Sequence, residues 1–128
     1  MKTLLIAEDE PDIMILLRLV LEKHFAIIEA SNGEETLELA RDHHPDLVLM
    51  NVLMPKMDGI EVTKRLKEME LTKDIPIVLI SSLSSPADIQ AGLDAGAVDY
   101  IIKPFYVFEL HARLIKTLEE ERHGEKCR

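Results

Sequence analysis

The sequence predicts an α/β domain in which a parallel sheet of five strands is covered by helices on both faces. Two observations carry this prediction. Short apolar segments alternate with longer segments of helical periodicity, and each apolar segment ends abruptly at polar residues. Parallel neighbours need a crossover of about a dozen residues or more, which the helical segments supply with right-handed connections. The length of 128 residues corresponds to one domain with a single core.

Composition restricts the class of protein. An apolar fraction of 47% with 30% charged residues is typical of a soluble globular domain. The net charge of −9 argues against direct nucleic-acid binding, which needs a basic surface. Cys127 is the single cysteine, so neither a disulfide nor a cysteine metal site is predicted. The lack of a disulfide framework fits a reducing setting, so we expect a cytoplasmic location. The apolar run at the N-terminus stops at Glu8, too early for a signal peptide, and no segment is long enough to span a bilayer.

The first half of the chain is predicted to contain three strands and two helices. The strands cover residues 4–7, 26–30 and 47–51, and the helices cover residues 12–24 and 34–41. Pro11 suits the first turn of the first helix, where neighbouring acidic residues lie at the positive end of the helix dipole. A Ser-Asn-Gly turn precedes the second helix, and Pro45 prevents its continuation.

The second half is predicted to add two strands and three helices. The strands cover residues 75–80 and 98–102, and the helices start at Asp58 and at Ser85, with the last over residues 107–120. Asp58 and Glu61 are spaced as in a capping box. Ser85 is an N-cap residue followed by a proline at the first helical position.

The C-terminal segment, residues 119–128, is almost entirely polar and is expected to fray. We therefore assign one domain to residues 1–120 and a polar tail to residues 121–128. Since the sequence stops soon after the last helix, we expect either a single-domain protein or a fragment cut at a linker.

The segment most informative about function is residues 46–59, Asp-Leu-Val-Leu-Met-Asn-Val-Leu-Met-Pro-Lys-Met-Asp-Gly. In it, a buried strand ends at one polar residue, Asn51, and a loop broken by Pro55 leads to the next helix. A strand that delivers a polar side chain at its carboxyl end is the usual way in which open α/β sheets build ligand sites.

Polar residues follow three other strands as well. Glu8 and Asp9 follow the first strand, Ser81 the fourth and Lys103 the fifth. If the first and third strands are central neighbours, all of these side chains converge with Asn51 in one shallow cleft. Two acids with carbonyl oxygens suit Mg²⁺, and a hydroxyl with an ammonium group suits a phosphoryl oxygen. The cleft lacks a nucleophile, because the neutral amide of Asn51 cannot attack phosphorus as a carboxylate can.

The chain resembles the receiver domain of two-component response regulators along essentially its whole length. The resemblance rests on Glu8-Asp9, on residues 49–59, on Ser81 and on residues 100–105, together with the spacing between them. It implies a flavodoxin-like (βα)₅ fold with strand order 2-1-3-4-5.

The resemblance also implies roles for the residues of the cleft. In the family, an aspartate at the place of Asn51 takes a phosphoryl group from a sensor kinase histidine. Asp9 is then the direct Mg²⁺ ligand, Glu8 helps through water, and the backbone carbonyl of Leu53 is a further ligand beside Asn51. Lys103, which precedes a cis proline, is the partner of the phosphoryl group.

Two further roles follow from the same resemblance. Ser81 is the hydroxyl that moves toward the phosphoryl group, and Tyr100 is the aromatic residue that follows it. The surface near Ser81, the fifth strand and the last helix is implied to face a downstream effector protein or output domain. With aspartate at position 51, the upstream partner is a histidine kinase or phosphotransferase protein. No enzymatic turnover, nucleic-acid contact or membrane contact is expected.

Asn51 departs from the family at the position that carries the chemistry. We therefore predict that this chain is not phosphorylated and binds Mg²⁺ weakly or not at all, because a cation gains less from an amide dipole than from a carboxylate. Two explanations are open at this point: a substitution made to trap the unphosphorylated state, or a natural receiver-like domain that signals by binding alone.

A different class of function is the alternative hypothesis. A Mg²⁺-dependent phosphatase of the haloacid dehalogenase type also uses an aspartate after its first strand, but it needs Asp-x-Asp where this chain has Glu8-Asp9-Glu10. A flavin carrier needs a phosphate loop rich in Ser, Thr and Gly after the first strand, where this chain is acidic. None of the five histidines is predicted to bind a metal.

Overall fold

The computed structural model describes the backbone of residues 1–127 and the side chains of residues 1–121. Within them, five strands alternate with five helices. The elements are β1 (Thr3–Ala7), α1 (Pro11–Leu21), β2 (Ala26–Ala30), α2 (Gly33–His43), β3 (Leu47–Asn51), α3 (Gly59–Glu68), β4 (Ile77–Ser81), α4 (Pro86–Ala95), β5 (Asp99–Ile102) and α5 (Val107–Cys127). All pairings are parallel, in the order β2-β1-β3-β4-β5, so the predicted fold class and strand order are confirmed.

Alternation along the strands divides the core into two layers. Side chains such as Leu5, Val48 and Leu79 face one side, where they pack with residues of α2 and α3. Leu4, Leu49 and their neighbours face the other side, where they pack with α1 and α5. The inner strands β3 and β4 are buried over their whole length, as expected for a sheet covered on both faces.

Helix α1 is less buried than its apolar sequence suggests. Met14 and Leu17 lie in the core, whereas Ile15, Leu16 and Leu19 are exposed. The helix ends at Leu21 rather than at the predicted His24, because the following residues turn so that buried Phe25 enters the core.

Several other boundaries differ from the predictions by a few residues. β4 starts at Ile77 rather than residue 75, since Pro76 has no N–H to donate to a neighbouring strand. Helix α5 continues to Cys127, beyond the predicted end at residue 120. The side chains of the predicted tail lie, after residue 121, outside the described residues, so its separation from the domain stays a prediction.

The two predicted helix caps have different outcomes. Ser85 and Asp88 form the complete capping box, in which each side chain accepts the other's backbone N–H. Asp58 accepts from the Glu61 N–H at 2.9 Å, but the Glu61 carboxylate contacts Arg65 at 3.1 Å instead of returning to the cap. Only half of the second capping box is therefore present.

Helix α3 starts directly against the end of β3. The Gly59 N–H donates to the Val52 carbonyl at 2.8 Å. A Cβ atom at Gly59 would lie 2.5 Å from the Asn51 carbonyl oxygen, so the close approach requires glycine. No described helix combines the length and the apolarity needed to cross a lipid bilayer.

Candidate functional site

The side chain of Asn51 lies at the centre of a polar cluster at the carboxyl edge of the sheet. Asn51 is the last residue of β3 and is 5% exposed. Its Nδ2 atom donates to the Leu53 carbonyl at 2.9 Å and to Glu8 Oε2 at 3.1 Å, with a longer contact of 3.5 Å to Asp9 Oδ1. The amide nitrogen thus faces three oxygen atoms, from Glu8, Asp9 and Leu53, whose residues were predicted to be metal ligands.

Lys103 closes the other side of the cluster. Its Nζ atom lies 3.4 Å from Asn51 Oδ1 and 3.4 Å from Glu8 Oε1. This arrangement fixes the orientation of the Asn51 amide by chemistry. A flipped amide would set its oxygen against acceptor oxygens and its N–H groups against an ammonium group, which has no lone pair to accept them.

The Glu8 carboxylate is the buried charge of the site. The residue is 2% exposed and follows the buried strand β1 directly. Burial raises the pKa of Glu8, and the neighbouring Asp9 raises it further, whereas the Glu10 N–H and Lys103 oppose the rise. Because the opposing contacts do not cancel the cost of burial, the site favours a neutralising partner for this carboxylate.

Ser81 and Tyr100 form a second group beside the first, centred on the backbone of Leu83. Ser81 is fully buried, and its Oγ accepts from the Leu83 N–H at 3.0 Å. The Tyr100 hydroxyl donates to the Leu83 carbonyl at 2.7 Å. These two predicted switch residues therefore hold the same residue of the β4–α4 loop.

The two groups are joined through the backbone at the end of β5. The Lys103 N–H donates to the Ser81 carbonyl at 2.8 Å, and the Lys103–Pro104 peptide is cis, as the resemblance implied. The structure thus brings Glu8, Asp9, Asn51, Leu53 and Lys103 into one cluster and leaves the Ser81 hydroxyl in the adjacent one.

Two features of this region were missed by sequence reasoning. Leu83 offers backbone atoms only, and nothing in its residue type indicates that role. Arg113 on α5 forms a bidentate contact with Asp99 and donates to the Tyr100 carbonyl at 3.1 Å. The spacing between Arg113 and Asp99 matches no local pattern, although the pair of Arg113 with Glu109 has the helical i,i+4 spacing.

The residues fit a hard divalent cation only in part. Carboxylate and carbonyl oxygens are the ligands that Mg²⁺ prefers, and Glu8, Asp9 and Leu53 supply them. Among the residues with described side chains, no three or more acidic, histidine or cysteine side chains form a metal-binding group. The Asn51 Nδ2 atom also lies where the oxygens converge, so a cation needs the amide to move first.

Cavities near and far from the cluster differ in their linings. A cleft of about 230 Å³ adjoins it and is lined by Glu8, Asp9, Pro11, Met14, Glu29, Ala30, Ser31 and Glu35. A cavity of about 390 Å³ lies at the opposite edge of the sheet, near Asp46, Asp74 and Pro76. We place the candidate site at the polar cluster beside the first cleft, because Glu8 and Asp9 line that cleft, whereas no residue of the cluster lines the second.

Comparison with known proteins gives consistent results. Residues 4–115 match the model of the response regulator receiver domain. The alkaline phosphatase synthesis transcriptional regulatory protein PhoP of Bacillus subtilis (strain 168) is 40% identical over 114 residues, which are 88% of this chain and 47% of that protein. The chain therefore spans about half the length of this curated relative.

Two solved structures are also similar to this chain. The signal receiver domain of a signal transduction histidine kinase from Syntrophus aciditrophicus has a TM-score of 0.86 and 32% identity, over 94% of this chain and 92% of that one. The receiver domain of the sensor histidine kinase PA1611 from Pseudomonas aeruginosa PAO1, with a magnesium ion coordinated in its active-site cleft, has a TM-score of 0.85. At 24% identity, over 92% of this chain and 98% of that one, the second likeness supports the fold alone.

Proposed function

The chain belongs to the response regulator receiver domain family of two-component signalling, and from this premise we propose that it is a regulatory interaction module that accepts no phosphoryl group. One observation carries the proposal: the residue between the acidic pair and Lys103 is an amide, Asn51. Receiver domains are signalling modules, and family membership favours this function over the phosphatase alternative. We propose no turnover for this chain.

The chemistry of the cluster supports the proposal. Phosphoryl transfer to this position needs an ionised carboxylate as nucleophile, and a neutral amide has no corresponding lone pair of comparable basicity. Lys103 remains placed to contact an anion, but its present partners are Glu8 and the Asn51 carbonyl oxygen. The proposal holds for either origin of Asn51, a made substitution or a natural one.

The same geometry supports weak Mg²⁺ binding. Receiver domains typically bind Mg²⁺ in this cleft, where Glu8, Asp9 and the Leu53 carbonyl of this chain would hold it. A bound cation neutralises acidic groups beside the phosphoryl position. In this chain the Asn51 Nδ2–H group donates to Glu8 and Leu53. It therefore already supplies part of the compensation that a bound cation would give to these oxygens.

We also propose the partners and setting that go with this family. Receiver domains work with histidine kinases and with output domains or effectors. For the variant with aspartate at position 51 the upstream partner is a histidine kinase or phosphotransferase, and the downstream partner contacts the surface near Ser81, β5 and α5. A cytoplasmic location completes the proposal.

Treatment with acetyl phosphate or beryllofluoride tests the phosphorylation claim. The parent chain, Asn51→Asp and Asn32→Asp are compared by intact mass and by amide NMR. Asn32→Asp is the matched control, because this exposed N-cap residue accepts from the Glu35 N–H and aspartate caps equally well. We expect a phosphoryl adduct and shifted amides for Asn51→Asp alone. An adduct on the parent chain would overturn the proposal.

Titration with Mg²⁺ tests the metal claim separately. Replacing the amide dipole by a full charge is expected to tighten the dissociation constant of Asn51→Asp at least tenfold, which corresponds to about 1.4 kcal/mol. Asn32→Asp should bind Mg²⁺ like the parent chain. Equal constants for the parent chain and Asn51→Asp would contradict the role assigned to the amide.

A further inference from the structure

His24 and His111 form a stacked pair on the side of the domain opposite α3. Their ring centroids are 3.9 Å apart and the rings are inclined by 27°. His24 is exposed and lies in the turn after α1, whereas His111 is half-buried on α5. Leu21 and Leu114, close to them in sequence, belong to the same core layer. The stack therefore joins the end of α1 to α5 at the border of this layer.

The buried nitrogen of this pair has no hydrogen-bond partner among the residues whose side chains are described. His111 Nε2 is inaccessible to solvent and makes no hydrogen bond with any described residue. One turn further along α5, Leu114 is fully buried in the core layer and Ile115 packs against that layer. A neutral ring loses only a weak acceptor contact in such surroundings, but an imidazolium would bury a charged N–H without an acceptor.

Charged residues near the pair do not supply that acceptor. Glu22 is paired with Arg18 at 3.4 Å, and Lys23, the neighbour of His24, is exposed. On α5, Glu109 is paired with Arg113 at 3.3 Å. Burial lowers the pKa of His111, and the positive charge of His24 lowers it further.

We propose that the His24–His111 stack is a pH-sensitive latch, which holds the end of α1 against α5 while His111 is neutral and releases it in acid. Protonation of His111 places a cation at a nitrogen that has no acceptor among the described residues. Release frees the turn after α1 and changes how that helix is presented to a partner. The proposal is independent of Asn51 and of phosphorylation.

The sign of the pH effect follows from linkage. The pKa of His111 lies lower in the folded chain than in the unfolded chain, where it has its ordinary value of 6.5. As the pH falls below that value, the unfolded chain takes up the proton first, so stability is lost from 6.5 down through the folded pKa. Above 6.5 both states are neutral at this position and the latch is closed.

The first test compares urea unfolding of the parent chain, His111→Phe and His43→Gln between about pH 7.5 and about pH 5. Phenylalanine retains a ring for stacking but gains no proton, and His43 is an exposed histidine on α2. We expect the unfolding constant of the parent chain to rise more steeply in acid than that of His111→Phe, by up to about tenfold per pH unit. His43→Gln should follow the parent chain. Equal pH dependence of the parent chain and His111→Phe would overturn the proposal.

The second test uses the parent chain alone and does not depend on the folding of a variant. Histidine ring and backbone amide resonances are followed by NMR against pH. We expect His111 to titrate below its ordinary value of 6.5, and the amides of residues 22–25 and of α5 near His111 to shift with the same midpoint. A midpoint at or above 6.5, or amides that do not follow it, would also overturn the latch.

Discussion

Two clusters of charged residues tie distant segments of this chain together, and they differ in how completely their charges are paired. In the cluster at the carboxyl edge of the sheet, Lys103 stays 3.4 Å from both Glu8 and Asn51. In the cluster between β5 and α5, Arg113 is bidentate on Asp99, with one contact at 2.9 Å. The first uses a flexible ammonium group and the second a planar guanidinium group, which matches a carboxylate in shape.

The pKa shifts of the two clusters have opposite consequences. Burial raises the pKa of Glu8, so ionisation of this carboxylate costs free energy in the folded chain. The hydrogen bond to Asp99 raises the pKa of Arg113, so the folded chain favours its ionised form. The buried Glu8 carboxylate is incompletely compensated, and its cluster is the one proposed to interact with a ligand or cation, whereas the charge of Arg113 is fully paired and ties β5 to α5.

The largest expected effect comes from Asn51→Asp without a divalent cation. The substitution removes an N–H donor from Glu8 and Leu53 and sets a third carboxylate beside Glu8 and Asp9. We expect a loss of about 1–3 kcal/mol in the free energy of unfolding at neutral pH, measured in urea. Millimolar Mg²⁺ should restore much of the loss, because only the folded chain presents the three acids together.

Asn32→Asp provides the control for that experiment. It adds the same charge at an exposed helix cap, so its stability should match the parent chain within about 0.5 kcal/mol and should not respond to Mg²⁺. If Asn51→Asp and the parent chain had the same free energy of unfolding without Mg²⁺, the charges around Glu8 would be compensated as fully as those around Arg113.

An intermediate effect is expected from Arg113→Ala. The substitution removes the bidentate contact with Asp99 and the bond to the Tyr100 carbonyl. Because the arginine is partly exposed, we expect a loss of about 1 kcal/mol, read from urea midpoints. Arg65→Ala removes an exposed pair with Glu61 and should cost no more than about 0.5 kcal/mol. If both variants lost the same free energy of unfolding, the contacts of Arg113 would contribute no more to stability than an exposed ion pair.

The smallest effect is expected from Glu8→Gln and concerns pH dependence. The folded pKa of Glu8 lies above its ordinary value of 4.5, so the folded chain binds more protons than the unfolded chain in the window between them. Stability from this group is therefore lost as the pH rises from 4.5 through the folded pKa. Over that interval the free energy of unfolding should fall less for Glu8→Gln than for the parent chain. The control Glu10→Gln, at an exposed position, should behave like the parent chain. Urea denaturation at a series of pH values measures all three. Parallel curves for Glu8→Gln and the parent chain would contradict the raised pKa.

The fold was predictable because it depends on patterns that are local in the sequence. Alternation of buried strands with helices indicates a parallel sheet without knowledge of any contact, and Ser85 marks a helix start by its own chemistry. The burial of α1 was less predictable. Its run of apolar residues includes Ile15 and Leu19, which the packing of a single helix face leaves exposed.

The candidate site was predictable as a set of residues but not as a geometry. Parallel strands end at the same edge of a sheet, so Glu8, Asn51 and Lys103 had to meet there. The direction of the Asn51 amide and the shared anchor at Leu83 depend on contacts between segments that are distant in the sequence, and no local pattern specifies these contacts. The stacking of His24 on His111 also joins residues that no sequence spacing connects.

The contact between Gly59 and the end of β3 provides a natural reporter of the site. The Gly59 amide proton is held by the Val52 carbonyl, one residue beyond Asn51. Its exchange with deuterated solvent therefore requires α3 and the end of β3 to separate. Exchange at this single amide measures how often the start of α3 separates from the residue that follows Asn51, in the parent chain and in any variant, without a ligand or a label.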